Sequence, residues 1–330
     1  MKRIAVLLAL VLLVGGSGHA SSAPLVRATN GALPAQGLLV AQGHDTLLVG
    51  LDGRIHWRLS GLRPPWLASG NTARNAAFQQ LAAIVPNVAL LSGPNQQWYV
   101  FDSHGRLELL TSPRLRLSGD VDVVARTVPT NDHVFQVDVT VERGGRVLVP
   151  ASAGLRRIWG NLAVGESTAV DLQTGNRWHV AANCYPAATK DSELLMFCGP
   201  RLLAVSTDGS RTALATIPKS LFAASASLSP SGKYVVGMFT PGCGPSYGFV
   251  VPTDGGRARP LTAEGRWSLA GPNSIALGWA SDNRIVAIVE PSSKLDTEPK
   301  AGVYLIDPTT LTRRLVYPSA NPWAMWNSAG

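Results

Sequence analysis

A chain of 330 residues, of which 45% are hydrophobic and 15% charged, can bury a sizeable core, which excludes global disorder. Its 33 glycines and 23 prolines interrupt the sequence too often for long helices and favour many short strands joined by turns. The formal net charge is +8, but no run of Lys and Arg interleaved with aromatic residues supports a nucleic-acid site.

The N-terminus has the three parts of a secretory signal peptide. Lys2 and Arg3 precede an unbroken apolar run over residues 4–14, and small residues follow up to Ala20. Eleven apolar residues are too few to cross ~30 Å of hydrocarbon, which takes about 20 helical residues. We therefore expect residues 1–20 to be removed and the rest to be exported, secreted or held in the periplasm or cell envelope, without stable membrane insertion.

One hairpin pattern recurs seven times along the chain. Each copy has a β-rich run, an acid, one or more turn residues, an arginine and a second β-rich run, as in VVPTDGGRARPLT at 250–262. The acids are Asp52, Asp102, Glu142, Asp171, Asp208, Asp254 and Asp307, and the arginines are Arg54, Arg106, Arg146, Arg177, Arg211, Arg257 and Arg313. Their spacing of about 42 residues predicts a β-propeller.

The hairpin count predicts an all-β, seven-bladed β-propeller in one domain over residues 25–330. A six-bladed ring stays open as an alternative, because residues 151–170 are short for a full unit. We interpret 77–85, 225–229 and 274–280 as inner strands. The repeated arginines then begin the outermost strands, where we expect them to discourage strand addition and to pair with the turn acids.

The best-defined units lie in the C-terminal third. SASLSPSGKYVVGMF (225–239) and SIALGWASDNRIVAIV (274–289) each supply two strands before a copy of the hairpin, so a unit holds four strands. SPSGKYVVGMF followed by FVVPTDGGRARPLT resembles the WD40-like repeats of TolB-type β-propellers. The resemblance covers residues 225–317 and implies a propeller blade, without implying an activity.

The two ends of the chain are expected to meet. The first unit lacks an inner strand before Gly37, and PWAMWNSAG (322–330) echoes LGWASDN (277–283) of the seventh unit. We predict that the C-terminal strand pairs into the first blade and closes the ring, because an open ring would leave two unpaired edges.

Export permits a disulfide among the three cysteines. In CYPAATKDSELLMFC a hairpin centred on Asp191 would bring Cys184 opposite Cys198, which leaves Cys243 free. Pairing of Cys198 with Cys243 stays open as the alternative. No Cys or His cluster has zinc spacing, so we expect no metal site.

Candidate ligand contacts lie in long connections outside the repeat. Arg63 and Trp66 belong to GLRPPWLASGNTARN, and functional residues favour such loops. The connections between the second and third strands of a blade share a face with these loops. The candidate contact loops of this class are 240–246, 128–133 and 290–302. The second contains Asp132 and His133, and the third contains Lys294 and Asp296.

Catalytic motifs are not visible in their proper context: no HExxH and no P-loop appears, and no GxSxG stands at a strand-to-helix turn. The leading hypothesis is therefore a non-catalytic, monomeric scaffold without a cofactor, which binds a protein or an anionic cell-envelope component through one propeller face. The alternative is a hydrolase or lyase acting on an extracellular polymer. Its site would be the acid-rich stretch from Asp120 to His133 and Asp138, which could bind a cation or supply an acid–base pair.

Overall fold

The computed structural model describes residues 25–29, 32–68, 70, 72–85, 88–117, 119–128, 135–181, 183–218, 222–240, 247–261, 274–289, 302–318 and 322–327. The predicted signal peptide lies outside these residues. Within them, strands dominate and α1 (Ala73–Ile84) is the one α-helix, as expected for a chain rich in β-branched runs and turn residues. No helix in the described part is long and apolar enough to cross a membrane.

The strands follow one another in short steps. The first fourteen are β1 (Leu25–Ala28), β2 (Gln36–Gln42), β3 (Asp45–Gly50), β4 (Ile55–Ser60), β5 (Ala89–Ser92), β6 (Trp98–Phe101), β7 (Leu107–Leu110), β8 (Arg114–Arg116), β9 (Val121–Val128), β10 (Gln136–Arg143), β11 (Arg146–Val149), β12 (Arg157–Trp159), β13 (Leu162–Val164) and β14 (Thr168–Asp171). The others are β15 (Arg177–His179), β16 (Cys184–Lys190), β17 (Glu193–Cys198), β18 (Arg201–Val205), β19 (Arg211–Thr216), β20 (Phe222–Leu228), β21 (Tyr234–Thr240), β22 (Tyr247–Pro252), β23 (Arg259–Pro260), β24 (Ser274–Trp279), β25 (Ile285–Val289), β26 (Gly302–Ile306), β27 (Arg313–Tyr317) and β28 (Pro322–Asn327).

Seven antiparallel sheets form the blades, so the predicted seven-bladed propeller is confirmed and the six-bladed alternative is wrong. From the inside outwards, blade 3 is β8 to β11, blade 4 is β12 to β15, blade 5 is β16 to β19, blade 6 is β20 to β23 and blade 7 is β24 to β27. Blade 4 fits into a short stretch because each of its strands has only three or four residues.

The first blade joins both ends of the chain. β28 pairs with β2, with Gly37 opposite Trp326 and Leu39 opposite Ala324, so the predicted closure by the C-terminal strand is confirmed. β3 and β4 follow outwards. β1 then pairs with the outer edge of β4, an addition that the sequence pattern did not predict. This N-terminal strand covers an edge that would otherwise carry unpaired backbone groups.

The second blade departs from the pattern. Its sheet has three strands, β5, β6 and β7, and α1 lies between Arg63 and β5 in the chain. The predicted inner strand at 77–85 is therefore wrong. Ala, Gln and Leu favour a helix, and the Thr72 hydroxyl accepts a hydrogen bond from the Asn75 amide at 3.2 Å to cap its first turn.

The repeated hairpins join the third and fourth strands in six blades, and in the three-stranded blade 2 the hairpin joins the last two, β6 and β7. Most of their acids cap the turn itself: the Asp102 carboxylate accepts from the amides of His104 and Arg106 at 2.9 and 2.7 Å. The expected ion pair between a turn acid and its arginine is seen at Asp52 and Arg54, 4.0 Å apart.

Some arginines instead tie one blade to the next. Arg177 in blade 4 donates to the Leu148 carbonyl of blade 3 at 2.7 Å, and Arg314 in blade 7 donates to the Leu51 carbonyl of blade 1 at 3.3 Å. Apolar contacts also join neighbouring blades: Trp57 of blade 1 packs on Phe101 of blade 2 with ring centroids 6.0 Å apart. The core therefore lies mainly between blades, as successive hydrophobic clusters.

Candidate functional site

Two classes of connection share one face of the ring. The turns from the second to the third strand of a blade, and the connections from its fourth strand to the next blade, both end there; we call this the upper face. The segment that contains Arg63 and Trp66 belongs to it. The predicted contacts Asp132, His133, Lys294 and Asp296 lie in connections of the same class, but outside the described residues, so they stay predictions.

Trp66 is held out from the upper face by a short, well-bonded turn. Its side chain is 60% exposed and that of its neighbour Leu67 is 44% exposed. Pro64 and Pro65 fix the backbone on one side, and a 3-10 turn over Pro65–Leu67 closes with the Leu67 amide donating to the Pro64 carbonyl at 3.0 Å. A large apolar side chain is therefore exposed on a backbone with little freedom to rearrange.

The base of this turn is pinned to the second blade. Arg63 and Ser92 exchange both backbone hydrogen bonds at 2.9 Å, so Arg63 alone takes the place of an inner strand beside β5. On the other side, Gln79 of α1 donates to the Pro65 carbonyl at 3.3 Å. The turn is thus fixed to a sheet and to a helix.

The helix itself is locked by a buried polar group. Asn75 is 1% exposed; its side chain accepts from the Trp98 indole N–H at 2.9 Å and donates to the Gly70 carbonyl at 2.8 Å. Phe78 stacks on the fully buried Trp98 with centroids 4.9 Å apart. Because buried polar groups are costly unless they are bonded, Asn75 fixes how α1 sits against the second blade.

Trp66 also touches the strand that closes the ring. Its ring meets that of Trp323, on β28, edge to face at 5.7 Å and 87°. The structure therefore places Trp66 where blades 1 and 2 meet, which sequence reasoning did not foresee. The echo between the C-terminal strand and the seventh unit gave Trp323 only a role in closure.

The acid-rich stretch of blade 3 is a set of ion pairs. Asp122, 7% exposed, lies directly across β9 and β10 from Glu142. Arg116 binds Asp122 through Nε at 2.9 Å and Nη2 at 3.2 Å, and Arg114 bridges Asp122 at 3.3 Å and Glu142 at 3.5 Å. Hydrogen bonding to Arg116 and the positive charges nearby hold the pKa of Asp122 below its ordinary value.

Asp122 and Asp138 do not suit an acid–base pair, while Asp132 and His133 of the alternative lie outside the described residues. A general acid needs a raised pKa, whereas Asp122 is kept ionised. Asp120 lies exposed in the turn before β9, while Asp138 on β10 lies opposite Arg126 of β9 in the strand register. Four strand residues separate Asp122 from Arg126, which puts Asp122 and Asp138 roughly 13 Å apart along the sheet, beyond the ~5–10 Å that glycosidase carboxyl groups span. Sequence reasoning missed Glu142, which it interpreted as a turn acid.

Acid should weaken the fold through Asp122. A carboxyl with a lowered folded-state pKa stabilises the fold above its unfolded pKa, and this contribution is lost as the pH falls through the folded value, below about pH 4. We expect Asp122→Asn to flatten the loss of the thermal midpoint between about pH 5 and pH 2. The matched control is Asp120→Asn, at an exposed partner of the same Arg116. A wild-type-like acid profile for Asp122→Asn would contradict this account.

The cysteine pair of the fifth blade lies at the upper face. Cys184 is opposite Cys198 across β16 and β17, and the structure joins their sulfurs in a disulfide. The connecting turn is Asp191–Ser192, both with left-handed backbone, and a bulge between Pro186 and Ala188 absorbs the extra residue of the longer strand. Cys243 lies outside the described residues.

Two further kinds of candidate site are a metal site and a cavity. Among the described residues, no group of three or more His, Cys, Asp or Glu could hold a metal ion. A cavity of about 270 Å³ opens between blades 3 and 4 on the face opposite to the upper face. Its Arg143 donates to the Leu172 and Gln173 carbonyls, so this side chain serves mainly to join the two blades.

Comparison with known proteins gives fold-level likeness only. No protein-family model matches the chain, and no curated protein matches it. Solved structures similar to it include TolB from Acinetobacter baumannii (13% identity, TM-score 0.41, 88% of this chain and 65% of that one) and an Agrobacterium tumefaciens protein assigned as a TolB (14%, 0.37, 74% and 83%). A GH74 enzyme from Niastella koreensis is also similar (12%, 0.37, 86% and 46%). At these values, neither a partner nor an activity carries over to this chain.

Proposed function

We propose that this chain is an exported, non-catalytic propeller scaffold that binds a protein through its upper face, with Trp66 as the central contact. The observation that carries the proposal is Trp66 itself: a tryptophan 60% exposed on a turn fixed by two prolines, a sheet bridge and a helix contact. Tryptophan is enriched among the residues that dominate protein interfaces.

The rigidity of the turn strengthens this proposal. Ordering a flexible loop on binding costs conformational entropy and weakens association. A turn that is already ordered in the free protein avoids this cost. Scattered exposed apolar residues elsewhere, such as Leu109 and Val147, lie on outermost strands as single side chains. Trp66 and Leu67 instead form a contiguous apolar pair beside Trp323.

The proposal is tested by substituting the exposed tryptophan. We expect immobilised wild-type protein to retain one or a few proteins from a cell-envelope extract, and Trp66→Ala to retain them at least ~10-fold less, since hot-spot truncations cost ~2 kcal/mol or more. The control is Leu109→Ala, a 47% exposed apolar residue on the outer edge of blade 2. Equal retention by wild type and Trp66→Ala would overturn the proposal.

The same experiment covers the other two hypotheses. Retention of an anionic polymer or lipid instead of a protein, lost equally at raised salt in all variants, would favour the envelope-component hypothesis. Turnover of a polysaccharide or ester panel that disappears in His133→Ala would favour the hydrolase or lyase.

A further inference from the structure

A second group of aromatic and cationic side chains lies on inner strands across the ring from Trp66. Arg157 and Trp159 are on β12 of blade 4, and Tyr185 is on β16 of blade 5. These are the innermost strands of their blades, which line the central channel of a propeller. Arg157 and Tyr185 lie at the ends that begin on the upper face.

The three side chains contact one another. The Arg157 guanidinium carbon lies 4.7 Å from the centroid of the Trp159 ring. The rings of Trp159 and Tyr185 are 5.8 Å apart and tilted by 60°. The Trp159 ring therefore holds the Arg157 guanidinium beside Tyr185, at the upper end of the inner strands.

The cation has no acidic partner among the described residues. The preceding Arg156 pairs with Glu166 at 3.6 Å, but Arg157 takes part in no described ion pair. Its Nε is buried without a hydrogen-bond acceptor. Stacking on Trp159 engages the face of the guanidinium and leaves its in-plane N–H groups to bond elsewhere: one bonds the Tyr185 hydroxyl, while Nε has no acceptor. The acceptor that best matches the edge of a guanidinium is a carboxylate.

Tyr185 supplies a second donor. Burial raises the pKa of its hydroxyl, and the charge and hydrogen bond of Arg157 only partly oppose this rise, so the hydroxyl keeps its proton at neutral pH. The disulfide between Cys184 and Cys198 fixes the beginning of the strand that carries Tyr185. A protonated hydroxyl and a guanidinium are thus held side by side.

We propose that Arg157, Tyr185 and Trp159 form a carboxylate-binding site at the upper mouth of the channel. The guanidinium and the hydroxyl bind the carboxylate oxygens, and the tryptophan ring packs against the apolar part of the ligand. The carboxylate belongs either to a free small molecule or to an acidic side chain of a bound protein. The site stands apart from the proposed role of Trp66, because it shares no residue with that turn.

Calorimetric titration of the full chain tests the site with three probes: sodium acetate, sodium benzoate and the blocked peptide acetyl-Gly-Glu-Gly-amide. We expect Arg157→Gln to weaken binding at least ~10-fold and Tyr185→Phe severalfold, since a charged hydrogen-bonding partner is lost in the first and one donor in the second. Binding of acetate or benzoate alone identifies a small-molecule site, and binding of the peptide alone identifies an acidic side chain as ligand.

Two controls keep the result decisive. Arg156→Gln removes the neighbouring, 67% exposed arginine and should bind like wild type. Trp66→Ala should also leave carboxylate binding unchanged, so a failure of the proposed protein-binding role would not be mistaken for a failure of this site. If Arg157→Gln melts early, Tyr185→Phe carries the test. The proposal is overturned if no probe binds up to ~20 mM, or if Arg157→Gln binds as wild type does.

Discussion

Removal of residues 320–330 is expected to leave a protein that aggregates or melts far below the intact chain. The deletion takes away β28, the innermost strand of blade 1, and with it the ladder that pairs Gln36 to Val40 with the C-terminus. Each buried backbone group left unpaired costs about 1–3 kcal/mol, against a typical total stability of ~5–15 kcal/mol. The loss of the buried Ala324 and of the Trp323 ring beside Trp66 adds to this cost.

Scanning calorimetry of the intact and truncated chains measures the effect. The control is a backbone cut within residues 292–299, in the connection between β25 and β26, which we expect to be tolerated because it crosses no described strand. Equal melting of the intact and C-terminally truncated chains would show that closure does not depend on β28.

Loss of the disulfide is the second large effect. Replacing Cys184 and Cys198 together by serine is expected to lower the free energy of unfolding by about 3 kcal/mol, because a bridge over a loop of this length constrains the unfolded chain by that amount in the chain-entropy model. The pair joins adjacent strands of blade 5, so the folded sheet itself should survive. Chemical denaturation under non-reducing conditions measures the difference.

Cys243→Ser is the matched control and should unfold like wild type. Non-reducing peptide mapping of the exported protein should yield one linked peptide containing Cys184 and Cys198. A peptide linking Cys198 to Cys243, or three free thiols, would contradict the predicted pairing.

The hairpins were predictable from the sequence because their turns carry their own chemistry. An acid followed by small residues caps its own loop, as the Asp307 carboxylate does with the amides of Thr309 and Thr310, at 2.8 and 2.7 Å. Such a signal depends on a few adjacent residues and recurs wherever the turn recurs. Ring closure was predictable for a related reason, since an unpaired edge must find a partner.

The elements that the pattern missed depend on neighbours far away in the chain. Residues 77–85 are apolar enough for a buried strand or a buried helix, and the choice was made by Asn75 binding Trp98, a contact over 23 residues. β1 is only four residues long and is defined by the edge of β4 that it covers. Neither long-range contact is visible in a short window of sequence, although the Thr72 cap and the helix-favouring residues of α1 are.

The candidate sites divide in the same way. The position of Arg63 and Trp66 in a loop could be predicted, because two prolines and a tryptophan stand there outside the repeat; their role as ligand contacts stays a prediction. The site at Arg157 could not be predicted, because Tyr185 joins it from the next blade across 28 residues. An Arg-x-Trp sequence at the start of an inner strand is the one local trace of it. Two outer strands also contain Arg and Trp, as Trp57-Arg58 and Arg177-Trp178, so the pair does not mark a site.

The first blade also sets the order in which the molecule can be completed. Its outer strands come from residues 25–60 and its innermost strand from residues 322–327. The first blade therefore cannot be completed until the C-terminal strand is available. At synthesis rates of ~5–20 residues per second, that interval is roughly 10–50 s. Blades 2 to 7 have all their strands before β28 is reached, but the ring cannot close without it. Chains truncated near their C-terminus would therefore keep the inner edge of β2 unpaired and apolar surface exposed, and we expect chaperones and proteases to recognise both.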